Sequence, residues 1–284
     1  MNHLIWNEIP DASLVVHLFS EEERFQLRDG YLPERMNQNW FHRFLDASPG
    51  FILLRTQIND QHENIQRRIY AECCKRIGML NERYGAFYDV KDYGGDYINS
   101  RIPISQTHDT TGFHTDSSAA GYFPKVVGLL CIRPALEGGQ SLLVNAANAY
   151  VHLIANFPAY EALLTFSAIR DIVTPGTEFS LENLKRNRFP ILEKSDSTFT
   201  FRYMRYWLER GHQKASEPLP DGYIEMLNAL DHYLDQAEHQ FSVLMEAGDI
   251  LIFNNTFLLH NRTAFINAPE FERERLMVRA WIDC

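Results

Sequence analysis

Two short patterns, far apart in the chain, constrain it more than anything else: Phe113-His114-Thr115-Asp116 near the middle and Leu259-His260-Asn261-Arg262 near the C-terminus. Together they offer two imidazoles and one carboxylate, the donor set that grips a non-haem Fe(II) ion on one face and leaves coordination positions open. A His-x-Asp alone is common and would fix nothing. With His260 as third ligand, the pair fixes the metal, limits the chemistry and largely fixes the fold. On an extended segment, residues i and i+2 point to one side, so His114 and Asp116 can address the same ion. His260 follows Gly248-Asp249, an apolar run and Asn254-Asn255. That order carries the chain along one strand, around a turn and onto the next.

Around these patterns the chain reads as mainly β. Phe51–Leu54, Val126–Ile132, Ser141–Val144 and Ile250–Phe253 are short apolar runs bounded by Gly, Pro, Asp or Asn. They do not alternate with helices, which excludes a doubly wound parallel sheet. Turn signals such as Glu137-Gly138-Gly139 and Ala247-Gly248-Asp249 separate closely spaced strands. Two helices flank them. Residues 59 to 80 carry a capping-box pattern at Asp60 and Glu63, with Ile65, Ile69, Cys73 and Ile77 on one face. Pro220 to about Glu238 places Tyr223, Met226, Leu227, Leu230 and Leu234 inward. The architecture expected is a double-sheet jelly roll, or double-stranded β-helix, with flanking helices.

No repeat or linker interrupts the chain, so residues 1–284 are expected to form one domain, with a helical or loop segment over 1–50 packed on its core. A formal charge of −10 opposes binding to nucleic acid or an anionic membrane. No apolar run approaches the length of a membrane span, and no signal-peptide pattern opens the sequence. Four cysteines without a framework fit free thiols in a reducing cytoplasm, the expected location. The composition is silent on oligomeric state. A zinc hydrolase would want a positioned base such as the Glu of His-Glu-x-x-His, and the chain has no such motif.

The order of Phe113-His114-Thr115-Asp116, Gly138-Gly139-Gln140-Ser141, Gly248-Asp249, His260-x-Arg262 and Arg275-x-x-x-Arg279 resembles the taurine dioxygenase / clavaminate synthase superfamily, over roughly residues 50 to 284. Those proteins are Fe(II)- and 2-oxoglutarate-dependent oxygenases on a jelly-roll core. The resemblance implies that His114, Asp116 and His260 ligate iron, with 2-oxoglutarate and O2 as co-substrates. It also implies that Arg275 pairs with the far carboxylate of 2-oxoglutarate. A guanidinium fork suits that task because it meets a carboxylate in bidentate fashion, as lysine cannot. Ser141 falls where the family usually has a threonine that hydrogen-bonds the same carboxylate.

Arg262 shares a strand face with His260 and is expected to orient co-substrate or O2. The reaction implied is hydroxylation; related halogenases lack the Asp116 carboxylate, which argues against halogenation here. Desaturation, cyclisation, epoxidation and a silent metal-binding jelly roll stay as alternatives. For substrate contacts the expected residues are Arg279, Arg202 and Arg205 of the Phe201–Trp207 segment, and His108 in the loop before His114. Inward-facing arginines would favour a carboxylate-bearing small molecule, first a free amino acid or amino-acid-like metabolite, then a sulfonate or aryloxy acid, or a carrier-bound aminoacyl group. Two polar stretches, about 107–122 and 174–195, are expected loops with the capacity to act as lids.

Overall fold

Period-two alternation turns successive residues of the central strands of the largest sheet to opposite faces, and both faces are buried there. The structure, a computed structural model, describes residues 1–58, 61–82, 85–94, 107–110, 112–171 and 180–284. The strands of its two main sheets are β1 (Val16–Leu18), β2 (Phe51–Arg55), β3 (Met79–Leu80), β4 (Tyr88–Val90), β5 (Val126–Arg133), β6 (Ser141–Asn145), β7 (Gln240–Val243), β8 (Ile250–Asn254), β9 (Leu258–Arg262) and β10 (Leu276–Asp283). The major sheet has the order β1-β2-β8-β5-β10-β3, with β4 also paired to β10. The minor sheet has the order β7-β6-β9. Only β1 runs parallel to its neighbour, with Val16 opposite Leu53.

Phe51, Leu53, Val127, Cys131, Leu251, Phe253 and Met277 point from the major sheet toward the minor one and share a core cluster with Leu143, Val144, Leu258 and Leu259 of the minor sheet. Their neighbours Ile52, Leu54, Val126, Leu130, Ile250, Ile252, Val278 and Ala280 point outward, against Phe41, Leu45, Ile69, Tyr70, Cys73 and Ile77 from helices Gln38–Leu45 and Glu63–Ile77. Burial on both faces explains why these strands read as continuous apolar runs and not as alternating ones. The minor sheet is backed by helices Ala146–Asn156 and Tyr223–Leu234, whose buried stripe is Tyr223, Met226, Leu227, Leu230, Tyr233 and Leu234. This is the jelly-roll core with flanking helices that the sequence pattern implies.

The local expectations differ from the structure in two places. The first helix starts at Glu63 with His62 at its N-cap and no side-chain cap, and Asp60 lies outside the described residues. The N-terminal fifty residues contribute a strand, β1, as well as helices. The Phe201–Trp207 segment straddles two elements, ending the strand Phe199–Phe201 and opening the helix Arg205–Ala215. Among the described residues no helix is long and apolar enough to cross a membrane. Cys73, Cys74 and Cys131 are buried thiols, Cys284 is exposed, and none is in a disulfide.

Gly128 lies at the middle of β5, where the helix Glu63–Ile77 crosses the sheet. A Cβ at this position would stand 2.8 Å from the Tyr70 hydroxyl, and Tyr70 is fully buried. Overpacking of this kind costs about 1–3 kcal/mol. Gly128→Ala is therefore expected to lower the thermal midpoint by several degrees, measured by scanning calorimetry, with Tyr70→Phe restoring part of the loss.

Candidate active site

The two histidines meet because their backbones do. His114 N–H donates to the His260 carbonyl at 3.0 Å and His260 N–H donates to the His114 carbonyl at 2.9 Å, an antiparallel bridge on the free edge of β9. Residues paired in this way present their side chains to the same face about 5 Å apart. The two imidazole centroids accordingly lie 4.1 Å apart. His114 is extended only at this one bridge, and the chain turns immediately after it, with Ser117 at φ +58°. Asp116 thus reaches the site through specific contacts on its own backbone. Its N–H donates to Asn255 Oδ1 at 2.8 Å, while Asn255 Nδ2 donates to the Asp116 carbonyl at 3.1 Å and to the Pro124 carbonyl at 3.0 Å. Between the ligands, Thr115 N–H donates to the Tyr203 carbonyl, and Tyr203 N–H donates to Thr115 Oγ1.

The result is a compact donor set. Asp116 Oδ1 lies 3.7 Å from Nε2 of His114 and 3.7 Å from Nε2 of His260. One donor atom from each of the three residues falls within 4.8 Å of the others. His114 Nδ1 is 2.9 Å from the Gly112 carbonyl, which fixes its proton there and leaves Nε2 as a lone pair. Burial lowers both imidazoles, His260 to about 3, so both are neutral at physiological pH. Burial works in the opposite direction on Asp116. Arg279, the two imidazoles and the Trp281 indole N–H outweigh it and bring that carboxyl down to about 2. Two neutral imidazoles and an ionised carboxylate fit a divalent cation without any proton having to leave.

Beside this set lies a cavity of about 60 Å³ between the sheets. Leu129, Leu143, Leu251, Phe253 and Met277 supply its apolar wall, and Ser141, Arg262, Arg275 and Arg279 its polar groups. Met277 and Arg279 take the inward positions of β10, and Arg275 precedes a β-bulge between Leu276 and Met277. Arg275 is only 5% exposed, its backbone N–H is held by Asn267 Oδ1, and its Nη1 has no hydrogen-bond partner. Burial lowers it to about 10, still protonated. An unpaired buried guanidinium costs several kcal/mol, on the order of 3–5, unless an anion joins it. Ser141 stands directly opposite Arg262 across β6 and β9. Arg262 and Arg275 both lie against the Phe265 ring, at 4.8 and 5.1 Å.

The remaining expected substrate contacts sit elsewhere. Arg202 is sandwiched between Phe123 and Phe189, each 4.6 Å away, and donates to the Ala120 carbonyl. Arg205 pairs with Glu209 and Asp231 at 2.7 and 2.8 Å. His108 is largely exposed and paired with Asp92 at 3.0 Å. None of the three lines the cavity. Of the two expected lids, residues 107–110 are strapped to β9 and Phe265. Arg262 Nη2 donates to the Asp109 carbonyl, Thr110 Oγ1 to Asn261 Oδ1, and Phe265 N–H to the His108 carbonyl. Within 174–195, residues 174–179 lie outside the described residues, and the remainder holds the helix Leu181–Arg186 and two short strands. Sequence reasoning missed Asn255 and Trp281. Asn255 reads only as a turn residue, and Trp281 shows only as an inward position two residues beyond Arg279.

Residues 11–281 match the family model described as taurine catabolism dioxygenase TauD, TfdA family. The chain is 26% identical over 203 residues to gamma-butyrobetaine dioxygenase of Homo sapiens, a match covering 69% of this chain and 51% of that protein. It is 28% identical over 183 residues to a uridine-5'-phosphate dioxygenase of Streptomyces sp., covering 63% of each. The chain therefore spans about half to two thirds the length of these curated relatives. Among solved structures it resembles an asparagine oxygenase in complex with Fe(II), 2S,3S-3-hydroxyasparagine and succinate, with a TM-score of 0.73 at 14% identity over 94% of this chain and 93% of that one. It also resembles the non-haem iron oxygenase OrfP in complex with Fe and alpha-ketoglutaric acid, with a TM-score of 0.69 at 14% identity over 94% of both chains.

Asn255→Ala would strand the buried N–H and carbonyl of Asp116. At roughly 1–3 kcal/mol for an unsatisfied buried group, a loss of about 2–4 kcal/mol in urea unfolding of the apo-protein is expected. A loss below 0.5 kcal/mol would show that the clamp is dispensable.

Proposed function

The chain belongs to the taurine catabolism dioxygenase TauD/TfdA family, and we propose that it is an Fe(II)- and 2-oxoglutarate-dependent oxygenase that hydroxylates a C–H bond of a small carboxylate-bearing metabolite. A free amino acid or amino-acid derivative is the first choice of substrate. The observation that carries this reading is the unpartnered buried Arg275 in the same cavity as the His-Asp-His set. A metal-binding jelly roll with no co-substrate would have no use for that cation.

In this reading His114, Asp116 and His260 hold Fe(II), and Arg275 receives the far carboxylate of 2-oxoglutarate through its fork. Ser141 offers a hydroxyl to the same carboxylate, and Arg262, across from it, adds a second positive charge. Bound iron, with 2-oxoglutarate and O2, supplies the oxidising power, releasing succinate and CO2 as one substrate C–H is hydroxylated. The apolar wall excludes water from that event. Arg279 uses Nη1 on Asp116 and lies between the Tyr88 and Trp281 rings at the cavity wall, and in this reading the rest of its fork would receive a substrate carboxylate. Support for the substrate class comes from relatives named for gamma-butyrobetaine, from the hydroxyasparagine held by the asparagine oxygenase, and from OrfP structures holding hydroxylated L-Arg.

Anaerobic Fe(II) with 2-oxoglutarate is expected to give a weak visible charge-transfer band in the wild type, lost in His114→Ala and Asp116→Ala. Succinate release across amino acids, small carboxylates and nucleoside phosphates then identifies the substrate class. No band together with no succinate would overturn the oxygenase reading.

Arg275→Lys keeps the charge but loses the fork. A charge-assisted hydrogen bond is worth about 1.5–3 kcal/mol, so the KM for 2-oxoglutarate is expected to rise by roughly 10- to 100-fold. An unchanged KM would remove Arg275 from the co-substrate site.

A further inference from the structure

Asp116 differs from its histidine partners in having two equivalent oxygens, and the structure gives them unequal surroundings. Oδ2 accepts a 2.7 Å hydrogen bond from Trp281 Nε1. Oδ1 faces Nε2 of both histidines at 3.7 Å. Arg279 Nη1 does not distinguish them, lying 3.4 Å from Oδ1 and 3.3 Å from Oδ2. An indole has one N–H and no acceptor, so it commits to a single oxygen, and a bond to an ionised acceptor is short and strong. Trp281 itself is fixed. It occupies an inward position of β10 opposite Val127, with Tyr122 against its ring at 6.0 Å and Arg279 at 4.8 Å.

We propose that Trp281 is a positioning residue for the metal: by holding Oδ2 it turns Oδ1 toward the imidazole pair and makes Asp116 a one-oxygen ligand. A carboxylate that binds through both oxygens takes one more coordination position, at the expense of co-substrate or O2. The indole N–H therefore guards the open positions on which the proposed chemistry depends. This inference rests on the reading that the triad holds Fe(II).

The test uses the full chain and Trp281→Phe, which keeps an aromatic ring and removes the donor. Three quantities are measured anaerobically: the apo-protein melting temperature, the Fe(II) dissociation constant and the Fe(II)·2-oxoglutarate charge-transfer band. The expected result is an apo-protein melting temperature lowered by a few degrees, since one bond to a buried carboxylate is lost, with Fe(II) affinity weaker by roughly 10- to 100-fold and a shifted or diminished band, as for loss of a group that orients a metal ligand. Trp281→His, which restores a ring N–H, is expected to recover part of the affinity. Wild-type affinity and an unchanged band in Trp281→Phe would overturn the proposal. Failure of the wild type to bind Fe(II) would instead overturn the metal-centre reading beneath it. Should Trp281→Phe not fold, Trp281→His against Trp281→Leu supplies the same contrast of donor with no donor, and equal Fe(II) affinity in that pair would overturn the proposal.

Discussion

The two backbone hydrogen bonds between His114 and His260 are the constraint on which the rest of the site depends. They join a segment with little regular structure to the edge of a well-packed sheet, and they do so at the residues that carry the imidazoles. A slip of one residue in that pairing would turn one imidazole to the opposite face. Register is held from both sides. On one, Thr115 exchanges hydrogen bonds with Tyr203, and on the other Asn255 clamps the backbone of Asp116. The Tyr203 hydroxyl is itself bonded to Asp231 on the helix Tyr223–Leu234, so the His114–Asp116 segment is braced against a helix that backs the minor sheet.

Charge is the second organising constraint. Three guanidiniums, of Arg262, Arg275 and Arg279, share one small cavity with a single carboxylate, Asp116. Burial lowers Arg275 to about 10, and burial with repulsion from Arg275 lowers Arg262 to about 9. The protein tolerates this imbalance through cation–π contact with Phe265, which lies beside both side chains, and through the Arg262 bond to the Asp109 carbonyl. An anionic occupant would relieve it further. In the proposed reading, the cost of burying these charges together and an attraction for a dicarboxylate would be the same electrostatic fact.

Much of this was legible in the chain. The apolar runs of β2, β5, β6 and β8 stand where the sequence places them, because burial on both faces leaves an unbroken apolar signal. The inner stripe of the helix Tyr223–Leu234 follows from its 3.6-residue period. Arg275 and Ser141, marked in the sequence by the family resemblance, and Arg279, marked by its spacing from Arg275, all line the cavity. Arg202 and Arg205 stand outside the cavity for a physical reason. Strand and helix meet within Phe201–Trp207, and Arg202 is absorbed by two aromatic rings while Arg205 is taken up by helical and inter-helical carboxylates.

The sequence by itself determined which atoms are available: two imidazoles, one carboxylate and a fork-shaped cation in an order that permits one ion and one dicarboxylate. Those are properties of side-chain chemistry and survive any fold that unites them. Only the tertiary structure decided which oxygen of Asp116 faces the histidines, that Asn255 holds its backbone and that Trp281 occupies its other oxygen. Such choices depend on contacts between residues more than a hundred positions apart. No local pattern of period two or 3.6 can encode them, since each is set by the register in which separate strands pair.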